Sequence, residues 1–178
     1  MNISWYNIMF HGVAILGILA SILSFQCKKH KPLVMLRSAN ELLFGIQYYM
    51  LGAYTGMAMN IIGVVRNTVF AKMVQKNKDT IKMRIFFSVL FVIFACATWS
   101  GAKSILIGFA KVMSTFAYGS SRTSVVRALI LVTSTAWLVY NLMVGSYEGC
   151  VNEFLTLCSI VVGIIRLDIL KLSQKTTA

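Results

Sequence analysis

Three ionisable side chains stand inside apolar stretches of this sequence: Glu41, Lys111 and Glu153. On insertion scales such a group costs ~2.5 to 3.5 kcal/mol at membrane depth, so it is expected to face a bundle interior or a water-filled cavity. Lys111 lies near the middle of its segment, roughly 10 Å from the outer end at 1.5 Å per residue, which makes full snorkelling difficult. It is expected to meet a carboxylate, Glu41 or Glu153, and such a buried pair can bind an anionic or zwitterionic solute by exchanging partners. A structural ion pair between helices is the competing reading. Glu41 has a simpler partner in Arg37, one turn earlier on the same face, which satisfies it by an i, i+4 contact without any solute. Glu153, beside Asn152 and with no cation near it on its own segment, is the better functional candidate.

Amides and aromatics complete the candidate set. Asn60 and Asn141 lie within apolar segments, where an amide either bridges helices or hydrogen-bonds a polar ligand. Trp137 and Phe44 can form stacking walls for a ring-shaped solute, although aromatics in apolar helices are more often core or belt. The candidate substrate-binding residues are therefore Lys111, Glu153, Asn60, Asn141, Trp137 and Glu41. Catalysis finds little support: there is no Ser-His-Asp set, no paired His on one helix and no Gly-rich phosphate loop, so an enzyme is not expected. Four cysteines without CxxC spacing and two histidines argue against a zinc site or a disulfide scaffold. The 10 methionines read as adaptable packing rather than a metal relay. No cofactor is expected.

The elements that must position these residues are membrane helices. At 58% hydrophobic and 12% charged over 178 residues, with a mean hydropathy of +0.76, the chain is far more apolar than a soluble domain, which carries about 25% charged residues. At roughly 20 residues per span there is room for about seven transmembrane helices and very short loops. The expected spans are about Trp5 to Phe25, Pro32 to Leu51, Tyr54 to Phe70, Arg84 to Trp99, Ser104 to Ser120, Val125 to Val144 and Tyr147 to Lys171. The first lacks a basic leader and is expected to stay as a helix rather than be cleaved. It carries Gly17, Ala20, Ser21 and Ser24 on one face, a small-residue surface for close packing.

The net charge of +12 does not describe a nucleic-acid surface, because the basic residues cluster between apolar runs. Every second connection is basic, and 15 of the 17 Lys and Arg residues fit a cytoplasmic placement of those connections. This puts the N-terminus outside and the C-terminus in the cytoplasm. Lys103, at the outer edge, and Lys111 are the exceptions. Arg66 and Arg166 are expected to close equivalent helices on the cytoplasmic side.

Two phrases recur. Leu51-Gly-Ala-Tyr-Thr-Gly56 is echoed by Val144-Gly-Ser-Tyr-Glu-Gly149, and Gly63-Val-Val-Arg66 by Gly163-Ile-Ile-Arg166. Phe44 and Trp137 stand eight residues before the shared glycine, and Tyr48 and Asn141 four before it. The second copy has seven more residues between its phrases, which predicts a seventh helix longer by about two turns with its face unchanged. Three spans, one linker span and three spans give repeats that run parallel: residues 1–71, a basic loop and linker helix over 72–101, and residues 102–178.

These phrases, with Ser24-Phe-Gln26 before a basic loop and Trp137 with Tyr140-Asn141, resemble the YgjV-type bacterial inner-membrane protein family from about Gly12 to Arg166. That family is distantly similar to the SWEET, semi-SWEET and PQ-loop proteins, whose triple-helix bundles transport sugars and other small solutes. The resemblance implies an inner-membrane location and a SWEET-like fold. The Pro-Gln pair of PQ-loop proteins is absent here, so a proline hinge is not implied. The combined expectation is an all-α integral membrane protein, two parallel triple-helix bundles joined by a linker helix, in contact with the lipid bilayer and not with nucleic acid. It is expected to transport or bind an unidentified small polar solute, with a homo-oligomer left open. The alternative is a non-transporting scaffold or partner-binding subunit whose buried charges are structural.

Overall fold

A computed structural model describes residues 5–170; Lys171 and Lys175, expected at the end of the chain, lie outside the described residues. The described residues form seven α-helices and no strand: α1 (Trp5–Phe25), α2 (His30–Met50), α3 (Tyr54–Gln75), α4 (Ile81–Ala97), α5 (Ala102–Tyr118), α6 (Thr123–Val144) and α7 (Tyr147–Gly163), with α7 continuing as a π-helical stretch over Ile164–Ile169. Connections are two to five residues long, so neighbours in sequence pack antiparallel. Pro32 falls in the first turn of α2, where its missing N–H is harmless.

Helix boundaries repeat at one spacing. Phe25 and Tyr118 end α1 and α5, His30 and Thr123 start α2 and α6, and Tyr54 and Tyr147 start α3 and α7; each pair is 93 residues apart. The α2–α3 and α6–α7 turns match in detail. Gly52 and Gly145, also 93 apart, adopt φ of +69° and +74°, the left-handed conformation that glycine supplies at a helix end without a Cβ penalty.

The contacts close a ring. α2 packs on α1 and α3, α6 packs on α5 and α7, α7 meets α1, and α3 meets α5. α4 lies outside the ring against α5 and α3, buries only Phe87, Phe91 and Ala95, and is tied down where Thr80 and Arg84 donate to the Gly119 carbonyl. The polarity of the ring is that of a membrane bundle. Leu16, Leu19 and Leu23 on α1, Val89 and Val92 on α4 and Phe154 on α7 face outward, while Arg37, Glu41, Asn60, Arg66 and Lys111 are buried. An apolar exterior this continuous suits hydrocarbon rather than water. Among the described residues three helices are long and apolar enough to cross a membrane: Trp5–Phe25, Thr123–Val144 and Tyr147–Ile169. α4 and α5 are too short for that criterion at 17 residues each, and α2 and α3 carry the polar residues that point into the ring.

Three sequence expectations are corrected. The third helix does not stop at Phe70 but runs to Gln75. Over the described residues α7 with its π-helical extension spans 23 residues against 22 for α3, and the expected end at Lys171 lies outside them. At the 93-residue spacing Gly63 therefore corresponds to Thr156 and not to Gly163, and the second repeated phrase is a similarity of composition. Arg66 and Arg166 are not equivalent either, since Arg66 is completely buried and Arg166 is exposed. The small face of α1 forms as expected, with Gly17, Ser21 and Ser24 buried. Gly17 lies so close to Phe44 that a Cβ there would come within 2.8 Å of the ring.

Candidate functional site

Inside the ring, α2, α3 and α5 bring together one carboxylate and two cations. Glu41 Oε1 accepts from Arg66 Nη2 at 2.9 Å, and Glu41 Oε2 lies 3.3 Å from Lys111 Nζ. Lys111 Nζ donates to Asn60 Oδ1 at 2.9 Å and sits over the Trp137 and Phe91 rings, 5.0 and 5.8 Å from their centroids. Arg66 also donates to Ser114, Thr115 and Asn67, and its guanidinium lies against the rings of Phe91 and Tyr118. The depth of this cluster follows from helix rise. Counted from the outer helix ends at 1.5 Å per residue, Asn60 is ~9 Å in, Glu41 and Lys111 ~13 Å, and Arg66 ~18 Å.

Gly63 makes this pairing possible. A Cβ at that position would come within 1.7 Å of Glu41 Oε2, so the carboxylate occupies the space a side chain would fill. Its role is therefore to seat Glu41 against α3, which the sequence phrase had not indicated.

Arg37 does not pair with Glu41, although the i, i+4 spacing predicted it. Its Nε donates to Tyr118 Oη at 2.9 Å and its Nη1 to Ser21 Oγ at 2.7 Å, with the guanidinium over Phe25. Glu41 instead turns across the ring to α3 and α5, where two cations outweigh one. Ser21 is also hydrogen-bonded to Thr156, linking α1 to α7.

On the far side, α7 supplies Asn152 and Glu153. Asn40 Nδ2 donates to the Gly17 carbonyl and to Asn152 Oδ1, and Asn152 Nδ2 donates to Glu153 Oε1 at 2.9 Å. Glu153 Oε2 is buried with the Ser134 hydroxyl as its polar neighbour. Between the two sides lies a cavity of about 20 Å³, walled by Arg37, Asn40, Glu41, Phe44, Tyr48, Asn60, Lys111, Trp137, Asn152 and Glu153. That volume holds about one water molecule.

Five of the six sequence candidates, Lys111, Glu153, Asn60, Trp137 and Glu41, share this cavity. Asn141 does not: it lies one layer outward, accepting from Tyr48 Oη at 2.6 Å. Around that bond Tyr48, Trp137 and Tyr140 pack ring on ring, with centroids 5.4 to 6.1 Å apart. Gly56 and Gly149, which are 93 apart, leave the room for it. A Cβ at Gly56 would meet Tyr140 and Tyr48, and one at Gly149 would meet Asn141. Beyond this aromatic layer, Tyr140 forms part of an outer cavity of about 480 Å³ bordered by Thr55, Thr98, Ser100 and Lys103.

Sequence reasoning missed Arg66, Arg37, Asn40 and Tyr48. Sequence reading makes Arg66 a residue that closes the third helix, yet α3 continues through Asn67-Thr-Val-Phe-Ala71 to Gln75 and leaves it well inside. Near the start of α6, buried Arg127 makes a two-point pair with Asp168 on the π-helical stretch, Nε to Oδ2 at 2.9 Å and Nη2 to Oδ1 at 2.5 Å. This pair was not anticipated.

No curated protein and no solved structure matches this sequence. The profile of one family, Imp-YgjV, described as bacterial inner membrane protein, matches residues 8–171. The apolar exterior, the helices able to cross a bilayer and a match over nearly the whole chain agree, and the chain belongs to the Imp-YgjV family of bacterial inner membrane proteins.

Proposed function

We propose that this protein binds and moves a small polar solute through the centre of the ring. In this reading the seven helices all lie in the membrane, as two parallel triple-helix units joined by α4, with the N-terminus outside and the C-terminus cytoplasmic. The 93-residue recurrence of helix boundaries supports the two units, and the basic α1–α2, α3–α4 and α5–α6 connections support the orientation. The observation that carries the function is the position of the polar cavity. It lies between the units, at membrane depth, where parallel-repeat transporters hold their substrates.

A cavity of about 20 Å³ is too small for a solute, so the structure corresponds to a closed state. Tyr48, Asn141, Trp137 and Tyr140 close it toward the outer cavity, and Arg37 with Tyr118 and Ser21 closes it toward the cytoplasm. Rocking one unit against the other would part the Tyr48–Asn141 contact and admit solute. An equilibrative mechanism is favoured, because no dense acidic relay for proton coupling is present among the described residues.

The test is uptake by the purified full chain in sealed vesicles, using a panel of sugars, vitamins, nucleosides, amino acids and carboxylates. The expected result is saturable uptake of at least one class, lost in Lys111→Met while the variant remains folded. The second reading, a non-transporting scaffold or partner-binding subunit, is favoured by the small cavity and the paired charges at its wall. It prevails if no solute in the panel enters and Lys111→Met alters stability alone.

A further inference from the structure

The charges inside the ring do not balance. Arg37, Arg66 and Lys111 face Glu41 and Glu153, an excess of one positive charge if all five are ionised. The remaining buried ion pair, Arg127 with Asp168, is neutral in itself. Lys111 has the surroundings of an ammonium: the Asn60 amide oxygen accepts from it, a Glu41 oxygen lies 3.3 Å away, and two aromatic faces lie below it. Arg37 and Arg66 stay protonated in proteins. An unpaired charge in a desolvated core is costly, and the natural complement is one negative charge from outside.

The donors for such a ligand are in the cavity wall. Lys111 Nζ has three protons; its hydrogen bond to Asn60 engages one, and Glu41 Oε2 lies 3.3 Å away as an ion-pair partner. Arg37 Nη2 has no hydrogen-bond partner among the described residues, whereas its Nε and Nη1 are held. Phe44 and Trp137, at equivalent positions of the two halves, line the same cavity, with Lys111 Nζ over the Trp137 ring. Cationic donors beside aromatic side chains suit a ligand with a charged head and an apolar body.

We propose that the central site takes a small organic monocarboxylate, with its carboxylate between Lys111 and Arg37 and its body against Phe44 and Trp137. The assignment rests on the solute-binding reading above and narrows it to one chemical class. A zwitterion would leave the excess charge uncompensated, and a neutral solute would not use it. Glu153, a second carboxylate in the cavity wall, opposes the ligand and limits its affinity.

The experiment is a thermal-shift titration of the full-length protein in zwitterionic-lipid nanodiscs at constant ionic strength set with sodium sulfate. Propionate is compared with its neutral isostere propionamide, with the zwitterion alanine and with chloride. Propionate is expected to raise the unfolding temperature in a saturable way, and the other three are not. Lys111→Met should weaken the propionate midpoint at least tenfold. Glu153→Gln, which removes an opposing charge and keeps the side chain's size, should tighten it several-fold. That gain would not follow from a structural role, and it keeps the proposal falsifiable if Lys111→Met fails to fold. Equal shifts with propionamide, alanine or chloride overturn the carboxylate assignment, as does a weaker propionate midpoint in Glu153→Gln. No shift with propionate also overturns it. Vesicle uptake of some other solute, abolished by Lys111→Met, would in that case leave the broader reading standing.

Discussion

Tyr48 and Asn141 occupy the same position in two halves that recur at 93 residues, and they touch: the tyrosine hydroxyl donates to the asparagine side-chain oxygen at 2.6 Å. The chain is thus joined across its internal repeat by a pair of equivalent residues, directly outside the polar cavity. Deeper in, equivalence gives way to difference. Asn60 corresponds to Glu153, Glu41 to Ser134 and Lys111 to Ile18, so the repeated frame encloses an unrepeated set of charges.

The Tyr48–Asn141 bond should be measurable by a double-mutant cycle of Tyr48→Phe and Asn141→Ala. Hydrogen bonds between membrane helices average ~0.6 kcal/mol with a maximum near ~1.7 kcal/mol, and the coupling is expected in the upper half of that range because both partners are buried. Unfolding of the protein in mixed micelles by added SDS gives the four free energies. A coupling indistinguishable from zero would remove the bond as an outer closure.

Glu41 faces Arg66 and Lys111 at once, so Glu41→Gln leaves two buried cations without a carboxylate. Breaking a buried pair from one side costs about 3 to 5 kcal/mol, and a loss at the upper end is expected here. The same SDS titration measures it. A loss below about 1 kcal/mol would mean that the pairs are not held in the folded protein.

Gly63→Ala tests the seat of that carboxylate. The added methyl group would overlap Glu41 Oε2, forcing the side chain away from Arg66 and Lys111. The substitution is expected to cost about 2 to 4 kcal/mol in the native background, most of one broken buried pair, and little in a Glu41→Ala background. Additivity of the two changes would contradict the geometry.

Arg127 and Asp168 should behave as one unit. The two-point contact predicts a coupling of about 1 to 3 kcal/mol between Arg127→Met and Asp168→Asn, at the stronger end for contacting charged residues. Loss of this contact should also speed proteolysis at the cytoplasmic end of α7.

Orientation is open to a direct test in a cysteine-free background. A membrane-impermeant maleimide applied to spheroplasts should label Lys103→Cys in intact cells and Lys78→Cys only after permeabilisation. The opposite pattern would invert the topology.

Much of the architecture was legible in the sequence. The apolar composition identifies a membrane bundle, the apolar runs between connections imply seven helices, and the Gly-x-Tyr-x-Gly phrases mark the α2–α3 and α6–α7 turns, because each of those signals is local. Gly52 and Gly145 illustrate this: a left-handed helix end requires glycine wherever it occurs, so the repeat leaves a trace in the letters. The candidate list was also largely recoverable, since a charge or amide inside an apolar run must point inward, and Lys111, Glu153, Glu41 and Asn60 do.

The partners were not legible. Sequence spacing favours Arg37 for Glu41, because residues four apart on a helix are neighbours, yet Glu41 pairs with Arg66 and Lys111, 25 and 70 residues away. Arg66 reads as the close of a helix until α3 is seen to run another two turns past it. A sequence records which side chains must avoid lipid. Which of them meet depends on how the ring closes, α3 against α5 and α7 against α1, and closure is set by packing between distant segments, such as the space left at Gly63 for a carboxylate from another helix.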